Sequence, residues 1–245
     1  MGWPGYDLVA FGCSFTYGHG LPDCIADDGI SNGPTPSVLA WPHNLLSICN
    51  FKTVDNQGEP GASNKIITKN IIEYKKYSKR SFVIIQWSSF ERHTIFFNKD
   101  NKKRIHMIPN FLSNKMPKDF WYNHSSNSNF TPQEYKDFIK RHYEYYHHDF
   151  DVYFDQVIRM GYIDAWLKSK GVTQVLHLFF EKEWTETLSK EKKYFNKYMM
   201  DDMKVKTFNF SKHFKIDDAL DKPTPHPGIG SHRFFAKNIQ KWFKL

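Results

Sequence analysis

Five short apolar runs, each separated from the next by a stretch of helical periodicity or a long polar segment, most limit what this chain can fold into. They are Tyr6–Phe11, Phe51–Asp55, Ser81–Trp87, Val172–Phe180 and Val205–Phe208, and each reads as a buried strand. The first halts at Gly12, and the second ends in the turn-rich Asn56-Gln57-Gly58-Glu59-Pro60-Gly61. Helices are expected over Ser37–Cys49, started late or kinked by Pro42, and over Ala62–Lys79, where Ile67, Ile71 and Tyr74 share a face. Further helices are expected up to about Lys170, with Phe154, Ile158 and Ala165 inward and a break near His147–Asp151, and then over Trp184–Met200 and Ser231–Leu245. In the last, Phe235, Ile239 and Trp242 follow helical spacing. Strands alternating with helices predict one α/β domain: a parallel five-stranded sheet covered on both faces.

Residues 94–131 interrupt this rhythm. They are rich in Asn, Lys, Ser and Pro with isolated aromatics, so they read as an insertion covering a site, with Trp121 and Tyr122 as its substrate contacts. Helix chemistry resumes at Thr131-Pro132-Gln133-Glu134, with an N-cap, a proline at the first helical position and an acidic first turn.

At 245 residues and 40% apolar content the chain can fill a single core. The formal charge of +8 gathers in Lys75–Arg80, Lys99–Arg104 and Lys190–Lys193, at helix ends and loops where solvated lysine is ordinary. No arginine-rich arm or RNA-binding aromatic signature accompanies it, so nucleic acid is not the expected partner. Cys13, Cys24 and Cys49 form an odd set without metal-ligand spacing, which fits free thiols in a reducing compartment. The first residues lack the pattern of a signal peptide, and no apolar run is long enough to span a bilayer. A cytoplasmic setting is the expectation; oligomeric state is left open.

In parallel sheets, ligands bind beyond the carboxyl ends of the strands near the switch in strand order. There the chain places Gly12-Cys13-Ser14-Phe15-Thr16-Tyr17-Gly18, Asn56 to Asn64, and Gln86-Trp87-Ser88-Ser89-Phe90-Glu91-Arg92. Asp221-Lys222-Pro223-Thr224-Pro225-His226-Pro227-Gly228 precedes the last helix. A serine on a glycine-flanked turn exposes its hydroxyl and leaves its amide free, as attack on a carbonyl requires.

Gly12-Cys13-Ser14-Phe15-Thr16 resembles the first block of the SGNH/GDSL hydrolases, with Cys13 where that family's name has Asp. Asn56–Asn64 resembles the second block and His226-Pro227 the fifth, in the family's order and across nearly the whole chain. The chain is also similar to short SGNH-like proteins of bacterial and phage genomes, many without assigned activity. The resemblance implies a flavodoxin-like three-layer α/β/α sandwich. It implies Ser14 as nucleophile, His226 as base, and the amides of Ser14 and Gly61 as oxyanion donors. It implies no metal or organic cofactor. The substrate class it implies is a small acyl ester, including an O-acetyl group on a carbohydrate; a non-catalytic binding or structural module on the same scaffold is the other reading.

Two positions depart from the family. Phe90 stands where its third block has an oxyanion Asn, so Ser88, Ser89 or Asn64 would have to donate, and a Phe90→Asn change would be expected to restore the donor. Pro223 stands where its fifth block has Asp, leaving Asp221 as the group to orient His226. Two rivals remain: Cys13 as nucleophile, although neighbours at a strand end face opposite ways, and His232 as base, although it falls inside the last helix. For metal, His142, His147, His148 and Asp151 offer only His147 and Asp151 at helical i,i+4 spacing, and no metal is expected.

Overall fold

The computed structural model describes residues 3–24, 33–96, 104–108, 131–180, 203–208 and 226–243. Strands β1 (Asp7–Gly12), β2 (Thr53–Gly58), β3 (Ser81–Gln86), β6 (Gln174–Phe180) and β7 (Lys204–Phe208) form a parallel sheet in the order β2-β1-β3-β6-β7. This is the doubly wound order in which the chain leaves β1 for one side and returns to the other, opening a crevice beyond β1 and β3.

Alternation along the strands divides the core into two layers. Val9, Phe11, Val83, Ile85, Val175 and Phe179 face α3 (Asn64–Glu73) and α5 (Asp149–Ser169). Leu8, Ala10, Phe82, Ile84, Leu176 and Leu178 face α2 (Trp41–Cys49) and α6 (Ile229–Phe243). Both faces of each inner strand are thus buried, which explains why these runs are apolar throughout rather than alternating. The result is a three-layer α/β/α sandwich.

Several details differ from the sequence reading. α2 starts at Trp41, with Pro42 in its first turn, so the proline sets the start rather than a kink. β2 runs on through Asn56, Gln57 and Gly58, which read as a turn; at the sheet edge a strand tolerates polar residues. α3 stops at Glu73 because Tyr74 turns extended, its hydroxyl bonded to Asp55 at 2.9 Å. On α5 the inward stripe is Tyr153, Val157, Met160 and Leu167, while Ile158 is 51% exposed, so the face drawn through Phe154, Ile158 and Ala165 was rotated away from the true one. The stripe that wins includes Asp164, a charge that paired burial makes tolerable.

The insertion contains a hairpin of β4 (His93–Phe96) and β5 (Arg104–Met107), and α4 (Pro132–Tyr145) packs on it through Tyr135 and Ile139. Thr131 and Glu134 form the expected capping box. The expected helix at 184–200 lies outside the described residues. Cys13, Cys24 and Cys49 are buried and form no disulfide. Among the described residues no helix is long and apolar enough to cross a membrane.

Candidate active site

β1 and β2 run in register, so Gly12 lies beside Gly58 and the two strand ends emerge together. The loop after β2 is tied back by Glu59 N–H to Gly12 O at 2.9 Å. After Gly12 the chain turns at once into a single helical turn, α1 (Ser14–Tyr17), capped by Gly18 in the left-handed conformation. Gly12 is required by close approach: a Cβ there would lie 2.0 Å from Thr16 Oγ1. Thr16 Oγ1 in turn donates to Gln86 Oε1 of β3 at 2.6 Å, and Asn56 Nδ2 of β2 donates to Thr16 O at 2.7 Å. Three strands therefore fix this one turn.

Ser14 opens the turn. As the first residue of a helix, its N–H has no acceptor within the helical ladder. Its carbonyl accepts from Gly18 and His19 N–H at 2.9 and 3.0 Å. Cys13, the rival nucleophile, is the N-cap and belongs to the core cluster on the α3 and α5 face. Ser14 is buried as well.

His226 comes from the other end of the sequence. Its ring stacks on His19 with centroids 4.1 Å apart and planes within 6°, and lies 5.5 Å from the ring of Phe15. Phe15 follows Ser14 directly and His19 lies just past its turn, so the structure brings His226 to the same strand end. On the helix that follows it, His232 Nδ1 accepts the Trp41 N–H at 3.1 Å in the buried seam between α6 and α2. His232 is fully buried and committed to that bond, which suits an anchor rather than a proton shuttle.

Gly61 adopts φ +75, which a side chain would resist, and a Cβ there would meet nothing within 4 Å. The glycine serves conformation, and the space where a side chain would project is open. Asn64 is occupied at both ends: its Oδ1 accepts Ser88 N–H at 2.7 Å and its Nδ2 donates to Ser88 O at 3.2 Å. The clamp joins α3 to the end of β3. It also consumes the Ser88 amide, leaving the Ser88 hydroxyl as that residue's only spare donor. Ser88 Oγ and Gln86 Nε2 are buried without hydrogen-bond partners among the described residues. Sequence reading did not single out Gln86, because a glutamine closing an apolar strand carries no motif.

Phe90 does not point to the site. It is 5% exposed and packs between Tyr153 and Phe179, with centroids at 4.7 and 5.5 Å. Such burial contributes roughly 1.5–3 kcal/mol, and an asparagine there would place its amide in the core. Phe90→Asn is therefore expected to destabilise the fold rather than supply a donor. Asp221, Trp121 and Tyr122 lie outside the described residues.

A cavity of about 490 Å³ adjoins the site at Asn64 and extends under the hairpin past Arg92, His93, His142 and Arg159. Among the described residues His93, His142 and His147 are the one group whose ligand atoms come close enough to hold a metal ion. The spacing of His142 and His147 gave no such signal, because the third member lies on β4, far away in sequence.

No family model and no curated protein matches the chain. Solved structures do. The acetyl xylan esterase Est2A from the rumen bacterium Butyrivibrio proteoclasticus is 10% identical, with a TM-score of 0.55 over 98% of this chain; the chain spans 64% of that protein. A carbohydrate esterase whose active site displays divergent catalytic and non-catalytic binding functions is 12% identical, with a TM-score of 0.52, covering 98% of this chain and 69% of that one. A member of the lipolytic protein G-D-S-L family from Veillonella parvula DSM 2008 is 13% identical, with a TM-score of 0.49 across 98% and 99% of the two chains. The sheet order and the layers are those of the fold seen in Est2A and in that carbohydrate esterase. At such identities the likeness is one of fold.

Proposed function

We propose that the chain is a serine ester hydrolase acting on a small acyl ester, such as an acetyl group on a carbohydrate. Ser14 Oγ attacks the acyl carbonyl while a ring nitrogen of His226 takes its proton. The tetrahedral oxyanion rests on the Ser14 and Gly61 amides, joined by Ser88 Oγ or Gln86 Nε2. The imidazolium returns its proton to the departing alkoxide, and water, deprotonated by the same ring, releases the acyl group as a carboxylic acid. Asp221 is the residue proposed to orient His226, and Trp121 and Tyr122 are proposed to contact substrate.

The observation that carries this reading is the seating of His226 on Phe15, the residue after Ser14, and on His19, just past the Ser14 turn. The acetyl xylan esterase among the structural neighbours supports the substrate class. One observation favours the alternative, a binding module on a hydrolase scaffold: Asn64 is spent on Ser88 and Phe90 on the core, so neither position offers a side-chain amide to the oxyanion.

A fluorophosphonate probe separates the two, because it needs the nucleophile, base and oxyanion pocket but no particular alcohol. The hydrolase reading requires covalent labelling that Ser14→Ala and His226→Ala both abolish. Folded protein that stays unlabelled at pH 8 would leave the binding module.

A further inference from the structure

We propose that His93, His142 and His147 form a binding site for one divalent transition metal ion of the zinc class, beside and distinct from the serine site. The three imidazoles come from three segments: the start of β4, the last turn of α4, and the short connection before α5. Their ligand atoms all lie within 4.8 Å of one another.

His93 Nε2 and His147 Nδ1 face each other at 3.1 Å. A tetrahedral zinc ion with bonds of about 2.0–2.1 Å sets its ligand nitrogens roughly 3.3 Å apart, so these two already span one edge. Without metal they share a single proton between them; a metal ion replaces that proton and bonds both lone pairs. His142 supplies the third corner, its ligand nitrogen within 4.8 Å of the other two. Its Nε2 is buried without a hydrogen-bond partner among the described residues, a state that coordination or a second-shell bond would relieve.

The surrounding charge selects the metal. Lys65, Arg92 and Arg159 line the cavity against Asp151 and Asp155, so Coulomb attraction offers a cation little. Affinity must come from nitrogen coordination, which favours Zn²⁺ or Co²⁺ over Mg²⁺ or Ca²⁺. Three protein ligands leave a fourth position for water or a small anion. Arg92 Nη1 and Arg159 Nε, buried without hydrogen-bond partners among the described residues, line that same cavity.

The test uses the full, untagged chain stripped of metal and titrated with Co²⁺, then displaced with Zn²⁺. The proposal requires one ion per chain, a visible absorption band of four-coordinate cobalt, and a higher unfolding temperature with Zn²⁺. His142→Ala and His147→Gln should each weaken binding at least about tenfold. His148→Ala, altering the exposed neighbour, should not, and Mg²⁺ should not compete. His147 lies in a connection between helices, so its variant gives an answer even if His142→Ala does not fold. Absence of saturable Co²⁺ and Zn²⁺ binding, or equal affinity in folded His147→Gln, overturns the site.

Discussion

The imidazole of His226 lies flat on that of His19, ring centres 4.1 Å apart. This contact gives the proposed base a platform supplied by the nucleophile's own loop. Stacking restricts the ring to one plane without taking a hydrogen bond from it.

Removing the platform should therefore slow the chemistry while sparing the fold. His19→Ala is expected to reduce fluorophosphonate labelling of Ser14 by roughly ten- to a hundredfold, the scale of a misplaced catalytic group. His19→Phe, which keeps a flat ring, should recover most of the rate. Labelling kinetics with circular dichroism as a control decide it; equal loss in both variants would show that stacking is not what His19 provides.

Asn64 presents a choice between clamp and donor. Its paired bonds to the Ser88 backbone predict that Asn64→Ala destabilises the protein by about 2–4 kcal/mol, since two buried main-chain groups lose their partners. Urea denaturation measures this. Unchanged stability with slower labelling would instead assign the side chain to the oxyanion.

Asp164 governs part of the acid sensitivity. Burial would raise its pKa, but His177 and Lys168, at 3.7 and 2.8 Å, outweigh that and hold it below its ordinary 3.8. A carboxyl depressed by folding contributes stability above its unfolded pKa, and that contribution is lost as pH falls through the lower folded value. Wild type should accordingly lose stability below about pH 3.8 more steeply than Asp164→Asn, and be the more stable of the two near neutrality. Denaturation midpoints from pH 7 to pH 3 test the slope.

The fold was legible where local chemistry and tertiary need agree. The run ending at Gly12, the proline in the first turn of α2 and the Thr131–Glu134 box each name their structure without help from distant residues. β2 was misjudged at Asn56 because its amide looks like a turn signal, yet it bonds Thr16 O and Gly58 N–H, contacts that only the assembled sheet creates. The site divides the same way. Ser14 and His226 sit in short motifs and could be nominated; His19, Gln86 and His93 could not, because each acquires its partner from another part of the fold.

The bond from the Trp41 N–H to His232 spans 191 positions of sequence and seals α6 against α2. Read in time rather than space, it sets an order of assembly. During synthesis the Ser14 turn leaves the ribosome long before the histidine that would activate it, and α2 must wait with an apolar flank uncovered until α6 arrives. Contacts this distant form late and slowly. On the proposed mechanism Ser14 stays idle in a chain not yet made as far as His226, and α6, which follows it directly, closes the core.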